Sequence, residues 1–435
     1  MSPFIPGPYV QMRPYITCHA WVSSLPGLVS TPYRREPSQL SSPAHMSNSC
    51  FNGGAGWPEP VVRVQAVSDT CGDTVPDRYV KPPPERPSLI SPAADSDDGL
   101  TNINIPVVDL SMPDAEETCR AVAAACREWG FFQAVNHGVR PELLRAARAS
   151  WRGFFRQPAE VRERYANSPA TYEGYGSRLG TAKGGPLDWG DYYFLHLLPP
   201  ALKSHDKWPA VPPTLRETTE EYTGEVLELA RRVMRLLSSG LGLEAGRLQE
   251  AFGEGACMRV NFYPRCPQPE LTLGVAAHSD PGGMTMLLVD DHVRGLQVRS
   301  PADGAWITVD PVPDAFIVNI GDQIQVLSNA MYRSVEHRVT VSAAEDRLSL
   351  AFFYNPLGDL PIAPMPELVT ADRPALYPEM TFNEYRVFIR QRGLAGKAQL
   401  ESLQATANKA ASSCSGSPVV IAPPPACPAA DSSSS

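Results

Sequence analysis

From Cys257 to Pro356 the chain breaks into seven short apolar segments, "CMRVNFY", "MTMLLVD", "GLQVR", "WITVDP", "AFIVNIGD", "RSVEHRVTV" and "RLSLAFFYNP", with Gly, Pro, Asp and Asn between them. Segments this short, closely spaced and bounded by turn residues read as the strands of a sandwich or jelly-roll barrel. Such a fold gathers strands that are distant in sequence around one cavity. The side chains that share a strand face therefore carry the functional information.

In the stretch "AAHSDPGGMTML" (276–287) an extended backbone puts His278 and Asp280 on one side and Ser279 on the other. His337 lies in a second alternating strand, "SVEHRVTV". Two histidines and one carboxylate, with coordination positions left open, form the ligand set of non-haem Fe(II) oxygenases. An isolated His-x-Asp arises often by chance, and a lone histidine is more often a hydrogen-bonded structural residue. Two further pairs make the pattern specific. Arg347 and Ser349 share a face, and their guanidinium fork and hydroxyl suit a carboxylate. Arg259, Asn261 and Tyr263 share a face of "CMRVNFYPRCP", with an amide and a phenol able to donate to carboxylate or keto oxygens. Together these residues point to metal-dependent oxygenation. "DPGGM" reads as a turn, because no G-x-x-x-x-G-K pattern follows. His137 in "VNHGV" ends a strand, and Asp322 shapes the turn before the second histidine strand without being a ligand.

The front half has a helical texture. "DAEETCRAVAAACREW" (114–129) has helical spacing, an acidic first turn and Gly130 as a stop. "GFFQAVNHGV" reads as a strand, Pro141 opens a second helix, and a third covers roughly Thr214 to Ser239. "TFNEYRVFIRQR" closes the fold as a helix. The Pro- and Ser-rich ends lack sustained periodicity and are expected to lack a packed core. The expected division is an extension over 1–100, a helix-rich domain over 101–250, the jelly roll with its closing helix over 251–395, and a tail over 396–435. Residues 1–35 contain arginines but no acidic residue, so Met46 is the expected start, in preference to a transit peptide.

Composition removes several function classes. A net charge of −9 gives no electrostatic footprint for nucleic acid. No apolar run reaches the roughly 18 to 20 residues of a spanning helix, so no membrane partner is expected. Nine cysteines without a C-x-x-C pair suit free thiols in a reduced, cytoplasmic setting. The sequence sets no oligomeric state.

The segments "IPVVDL" (105–110), "CREWGFFQAVNHGV" (126–139), "NFYPRCPQPELTLG", "HSDPGGMT", "VNIGDQIQVLSNA", "SVEHRV" and "RLSLAFFYNP" carry a resemblance that runs from about Trp57 to Gln399. Over that span the chain resembles the plant 2-oxoglutarate and Fe(II)-dependent dioxygenases. The resemblance implies a mostly β fold with flanking helices, a double-stranded β-helix (jelly-roll) core and a helix-rich N-terminal domain. It implies iron on His278, Asp280 and His337. It also implies 2-oxoglutarate chelating that iron, its far carboxylate held by Arg347, Ser349 and Tyr263 with Asn261 near the metal end. O2 would take the remaining position, with ascorbate in support. The implied reaction converts 2-oxoglutarate to succinate and carbon dioxide while a small-molecule substrate gains a hydroxyl.

Residues 56–87 and 174–200 resemble the leucoanthocyanidin dioxygenase-like branch, which includes jasmonate-induced oxygenases. These hydroxylate and inactivate jasmonic acid, lowering jasmonate and defence responses. A small apolar acid needs aromatic walls and a cation. The expected substrate residues are Arg259, Arg386, Phe353, Phe382 and Phe194, with Arg386 one helical turn after Phe382. Ion pairing would account equally well for the arginines, and core packing for the phenylalanines. Flavonoid oxidation of the anthocyanidin or flavonol synthase type is the alternative. A non-catalytic binding protein is the alternative from another class, against which the intact ligand set argues.

Overall fold

The computed structural model describes residues 59–87, 104–111, 116–168, 172–177, 184–392, 396–398 and 400–404. Met46 and the segment before it lie outside the described residues. In chain order the elements begin with α1 (Val64–Thr70), β1 (Val107–Asp109), α2 (Glu116–Glu128), β2 (Phe131–Val135), α3 (Pro141–Phe155), α4 (Ala159–Glu163), β3 (Gly174–Gly176) and β4 (Asp191–Leu198). The long α5 (Leu215–Gly240) and α6 (Arg247–Phe252) lead into β5 (Gly255–Tyr263), β6 (Val275–His278), β7 (Met284–Val289), β8 (Leu296–Arg299), β9 (Trp306–Thr308) and β10 (Phe316–Ile320). Then come α7 (Asp322–Leu327), β11 (His337–Val339), β12 (Arg347–Asn355), β13 (Pro361–Ile362), β14 (Met380–Thr381) and α8 (Phe382–Arg392).

Local chemistry accounts for several of these boundaries. Glu116 and Glu117 occupy the first turn of α2, where the helix dipole favours anions. Gly130 takes the left-handed conformation (φ 65°) between α2 and β2, which costs glycine nothing. Pro141 begins α3, where its missing N–H is harmless.

An eight-stranded sheet runs β1-β2-β10-β7-β12-β5-β4-β3, and a four-stranded sheet runs β6-β11-β8-β9. One face of the larger sheet buries Met258, Val260, Leu348, Leu350 and Phe352 in a single apolar cluster with residues of α2, α3 and α5. Its other face meets the smaller sheet. There Phe131, Val289 and Ile317 cluster with Leu296 and Val298, and Tyr263 clusters with Val275 and Val339. Two sheets packed face to face with helices on one side form the jelly-roll core.

Three expectations about domain limits are corrected. First, residues 59–87 do have a core: Val64, Val75 and Tyr79 are buried with Trp189 and Cys266. The Tyr79 ring meets Trp189 edge-on at 5.2 Å. A two-turn helix leaves little periodicity to read, and its stability comes from packing on residues far along the chain. Second, the limit near 250 does not separate two cores, because β1 to β4 lie in the same sheet as β5 and β12. Third, the segment after 395 is ordered in part: Gly396 forms a backbone bridge with His278, and Leu400 is buried. Among the described residues, no helix is long and apolar enough to cross a membrane.

Candidate active site

The registers of the strands assemble the site. His278 and His337 are direct partners across the antiparallel pair β6–β11, and Asp280 follows β6 by two residues. Their ligand atoms lie within 4.8 Å of one another. Each histidine Nε2 is 3.6 Å from Asp280 Oδ1. His278 Nδ1 is 2.9 Å from the Ala276 carbonyl and His337 Nδ1 is 3.2 Å from that of Val335, which leaves both Nε2 atoms for the centre. Asp280 Oδ2 accepts from Thr285 Oγ1 at 2.5 Å and Asn319 Nδ2 at 2.8 Å, leaving Oδ1 inward. Phe131 sits edge-on to His337 at 5.4 Å.

The electrostatics favour a cation. Burial and the neighbouring His337 push His278 down to about 4, so its imidazole is neutral near neutral pH. Burial raises the Asp280 carboxyl, but the two histidines and the donors Asn319 and Thr285 outweigh it and hold the group below its usual range. A neutral imidazole and a carboxylate at this spacing are hard and borderline donors that fit Fe(II). Thr285 and Asn319 escaped the sequence reading. Their signal was strand alternation, since both lie on the cavity face and are paired with each other across β7–β10.

A second group lies on the cavity face of β5 and β12. Arg347 pairs with Tyr263, Ser349 with Asn261, and Ala351 with Arg259. Arg347 is buried, its Nε donates to the Val293 carbonyl at 3.3 Å, and its Nη1 has no partner. Burial pulls its pKa down, outweighing the opposing pull of Tyr263 and the Asp290 carboxylate. The guanidinium lies 5.6 Å from the Tyr263 ring centre. Burial raises the pKa of the Tyr263 phenol, with Arg347, Arg259 and Ser349 pulling the other way. Gly295 makes room here, because a Cβ on it would lie 3.1 Å from Arg347 Cδ and 3.0 Å from the Thr340 carbonyl. A buried guanidinium with an unused donor fits an anion such as the far carboxylate of 2-oxoglutarate.

Arg259, Asn261 and Tyr263 line one cleft together with Asp188. The Arg259 guanidinium stacks on Tyr192 at 4.0 Å, and its buried Nε has no partner. Phe194 is the cross-strand partner of Arg259 and meets His196 edge-on at 5.1 Å. Phe353 pairs with Cys257 and Thr285 on the same face. On α8, Phe382 is buried and the Arg386 guanidinium lies 5.6 Å from its ring centre. Both Arg386 and Asp280 act on the Cys257 thiol, which burial pushes up to about 11.

Asp188 was also missed by the sequence reading. Its Oδ1 accepts from the buried Lys81 ammonium at 2.7 Å and from the Ala276 N–H at 3.1 Å, two residues before His278. Asp322 is not one of the clustered ligands. It is a buried carboxylate at the start of α7, hydrogen-bonded to Ser279, Ser334 and Tyr385, with its pKa pushed up to about 6 by burial. His137 follows β2 and holds a turn: its Nδ1 accepts from the Val139 N–H at 3.1 Å and its Nε2 is 2.8 Å from the Asp314 carbonyl.

Residues 254–356 match the 2OG-Fe(II) oxygenase superfamily, and residues 105–214 match the family described as non-haem dioxygenase in morphine synthesis N-terminal. The chain is 56% identical over 354 residues to jasmonate-induced oxygenase 1 of Arabidopsis thaliana, covering 80% of this chain and 88% of that protein. It is 42% identical to flavanone 3-dioxygenase 2 of Oryza sativa subsp. japonica, covering 74% and 92% of the two chains. The crystal structure of JOX2 in complex with 2OG, Fe and JA is similar at a TM-score of 0.74 with 56% identity, covering 80% of this chain and 99% of that one.

Proposed function

The chain belongs to the 2OG-Fe(II) oxygenase superfamily, and from that premise we propose that it hydroxylates jasmonic acid, with iron on His278, Asp280 and His337. It is a 2-oxoglutarate- and Fe(II)-dependent dioxygenase. Bound iron and 2-oxoglutarate together supply activation of O2, so that one oxygen atom enters a substrate C–H bond and the other enters succinate as carbon dioxide leaves. The chain's own residues bind, orient and exclude water.

Arg347 holds the far carboxylate of 2-oxoglutarate with Ser349 and Tyr263, and Asn261 lies toward the metal end. Thr285 and Asn319 keep Asp280 Oδ1 turned inward. Arg259 and Arg386 bind the substrate carboxylate, while Phe353, Phe382 and Phe194 form apolar walls that fix which C–H bond faces the iron ligands. Closing that wall keeps water from the reacting centre.

The observation that carries the jasmonate reading is Arg259, a guanidinium in the cleft with a buried, unpartnered Nε. A neutral flavonoid offers that donor only uncharged oxygens, whereas a carboxylate supplies both an acceptor and the charge that a guanidinium calls for. The similarity to a named flavonoid enzyme is also lower, at 42% against 56%. Arg259→Ala and Arg386→Ala tested on jasmonic acid and on naringenin decide the matter. A much larger loss of kcat/KM on the acid supports the assignment, and equal loss on both sinks it. The cysteines described are free thiols, in keeping with a cytoplasmic site of action, and the net charge of −9 fits a small-molecule substrate rather than nucleic acid.

A further inference from the structure

We propose that Asp322 and Tyr385 are positioning residues that tie the closing helix α8 to both strands carrying the candidate iron ligands. The inference rests on the reading of the cavity given above, and it adds a mechanical link between the substrate wall and the metal cluster.

The link consists of buried hydrogen bonds. Asp322 is 1% exposed and Tyr385 is 2% exposed. The Tyr385 hydroxyl donates to Asp322 Oδ2 at 2.7 Å across 63 positions of sequence. Ser279, which separates His278 from Asp280, donates to the same oxygen at 3.3 Å. Ser334, three residues before His337, donates to Oδ1 at 2.7 Å. The Asp322 N–H donates to the Asp280 carbonyl at 2.8 Å. One carboxylate thus touches the segments of all three clustered ligands and α8.

Tyr385 stands between Phe382 and Arg386 on α8. Successive residues of a helix are about 100° apart around its axis, so fixing one side chain fixes the rotation of its neighbours. The bond to Asp322 therefore sets where Phe382 and Arg386 point. The chain beyond α8 returns to the same hub. Lys397 Nζ donates to Gln325 Oε1 at 3.0 Å, Gln325 Nε2 donates to the Tyr377 hydroxyl at 2.7 Å, and Gly396 bridges to His278.

Tyr385→Phe removes the hydroxyl and little else, so it is the informative variant, with Asp322→Asn as the second. Two readouts are compared with the parent: substrate hydroxylated per succinate formed with jasmonic acid, and amide hydrogen exchange of residues 382–387 in the metal-free protein. The expected result for Tyr385→Phe is faster exchange over 382–387, a lower hydroxylation-to-succinate ratio, and a KM for jasmonic acid raised about fivefold, the worth of one hydrogen bond. The KM for 2-oxoglutarate should move less than about twofold, since Arg347 lies outside this network. Asp322→Asn should show the same effects and weaken Fe(II) binding as well. Parental exchange and parental coupling in Tyr385→Phe would overturn the inference, whatever happens to its melting temperature. A parent that oxidises no jasmonic acid refutes the substrate assignment instead, and the exchange measurement still decides whether Tyr385 anchors α8.

Discussion

His278 and His337 face each other directly across an antiparallel strand pair, ring centroids 4.3 Å apart, and both Nε2 atoms lie 3.6 Å from the same oxygen of Asp280. A ladder position holds two of the candidate ligands, so the cluster is as rigid as the sheet. What remains adjustable is the Asp280 carboxylate, and Thr285 and Asn319 fix it by its other oxygen. Thr285→Val or Asn319→Ala should therefore weaken Fe(II) binding by about 10- to 100-fold, the usual effect of losing a partner behind a ligand. Titration with Mn(II) followed by electron paramagnetic resonance checks it; affinities within about twofold of the parent for both variants would contradict the assigned role.

Arg347 is buried with an idle Nη1 donor, and burying a cation whose donors are not all matched costs the protein that carries it. Arg347→Met should leave the ligand-free protein as stable as the parent or more so. It should abolish the rise in melting temperature that 2-oxoglutarate gives the parent, with binding weakened by about 2 kcal/mol or more, roughly 30-fold. Thermal melts with and without 2-oxoglutarate measure both effects. Undiminished protection of Arg347→Met would remove Arg347 from the co-substrate site.

Lys81 belongs to the stretch expected to lack a core, yet it is 2% exposed and paired with Asp188 at 2.7 Å. Lys81 is the buried partner, while Asp188 is half-buried in the cleft, so removing the ammonium leaves a carboxylate that is only partly desolvated. Lys81→Met should cost about 1 to 2 kcal/mol in urea unfolding, with much of the loss recovered in the double variant Lys81→Met/Asp188→Asn. A cost below about 0.5 kcal/mol, the level of an ordinary surface change, would mean that residues 59–87 only drape over the cleft.

The seven strand segments and the four long helices lay where alternation and helical spacing put them, because both signals are local. Of the candidate site, period two along single strands made legible which residues share a face: His278 with Asp280, Arg347 with Ser349, and Asn261 with Tyr263; the meeting of His337 with His278 depends on strand pairing. What escaped depends on long-range partners. The stretch containing β4 was read for its family resemblance and not as a strand, although it pairs along β5. Val64 and Tyr79 find their core in Trp189 and Cys266. Tyr385 carries no pattern of its own, and its meaning comes from Asp322, 63 positions away. No single-chain periodicity reports such contacts.

His137 provides a test of pH dependence away from the metal cluster. Burial lowers its pKa from the ordinary value near 6.5, and its Nδ1 accepts the Val139 N–H, so the folded state requires the neutral ring. A lowered value means the unfolded chain takes up the proton first as pH falls. The stabilising contribution is therefore complete above about 6.5 and is lost as pH drops from there through the folded value. Relative to His137→Gln, the parent should lose stability on acidification below that point, measured by urea unfolding at several pH values. A constant difference between the two proteins from neutral to acid would contradict a neutral native ring.

The measurement that bears most directly on the whole account is anaerobic reconstitution with Fe(II) and 2-oxoglutarate, admission of O2 in the presence of jasmonic acid, and simultaneous assay of succinate and substrate mass. The account predicts that jasmonic acid gains one oxygen atom for each succinate formed. Succinate without oxygen on jasmonic acid, with turnover of naringenin or dihydroquercetin in its place, would contradict it and make Arg259 and Arg386 structural.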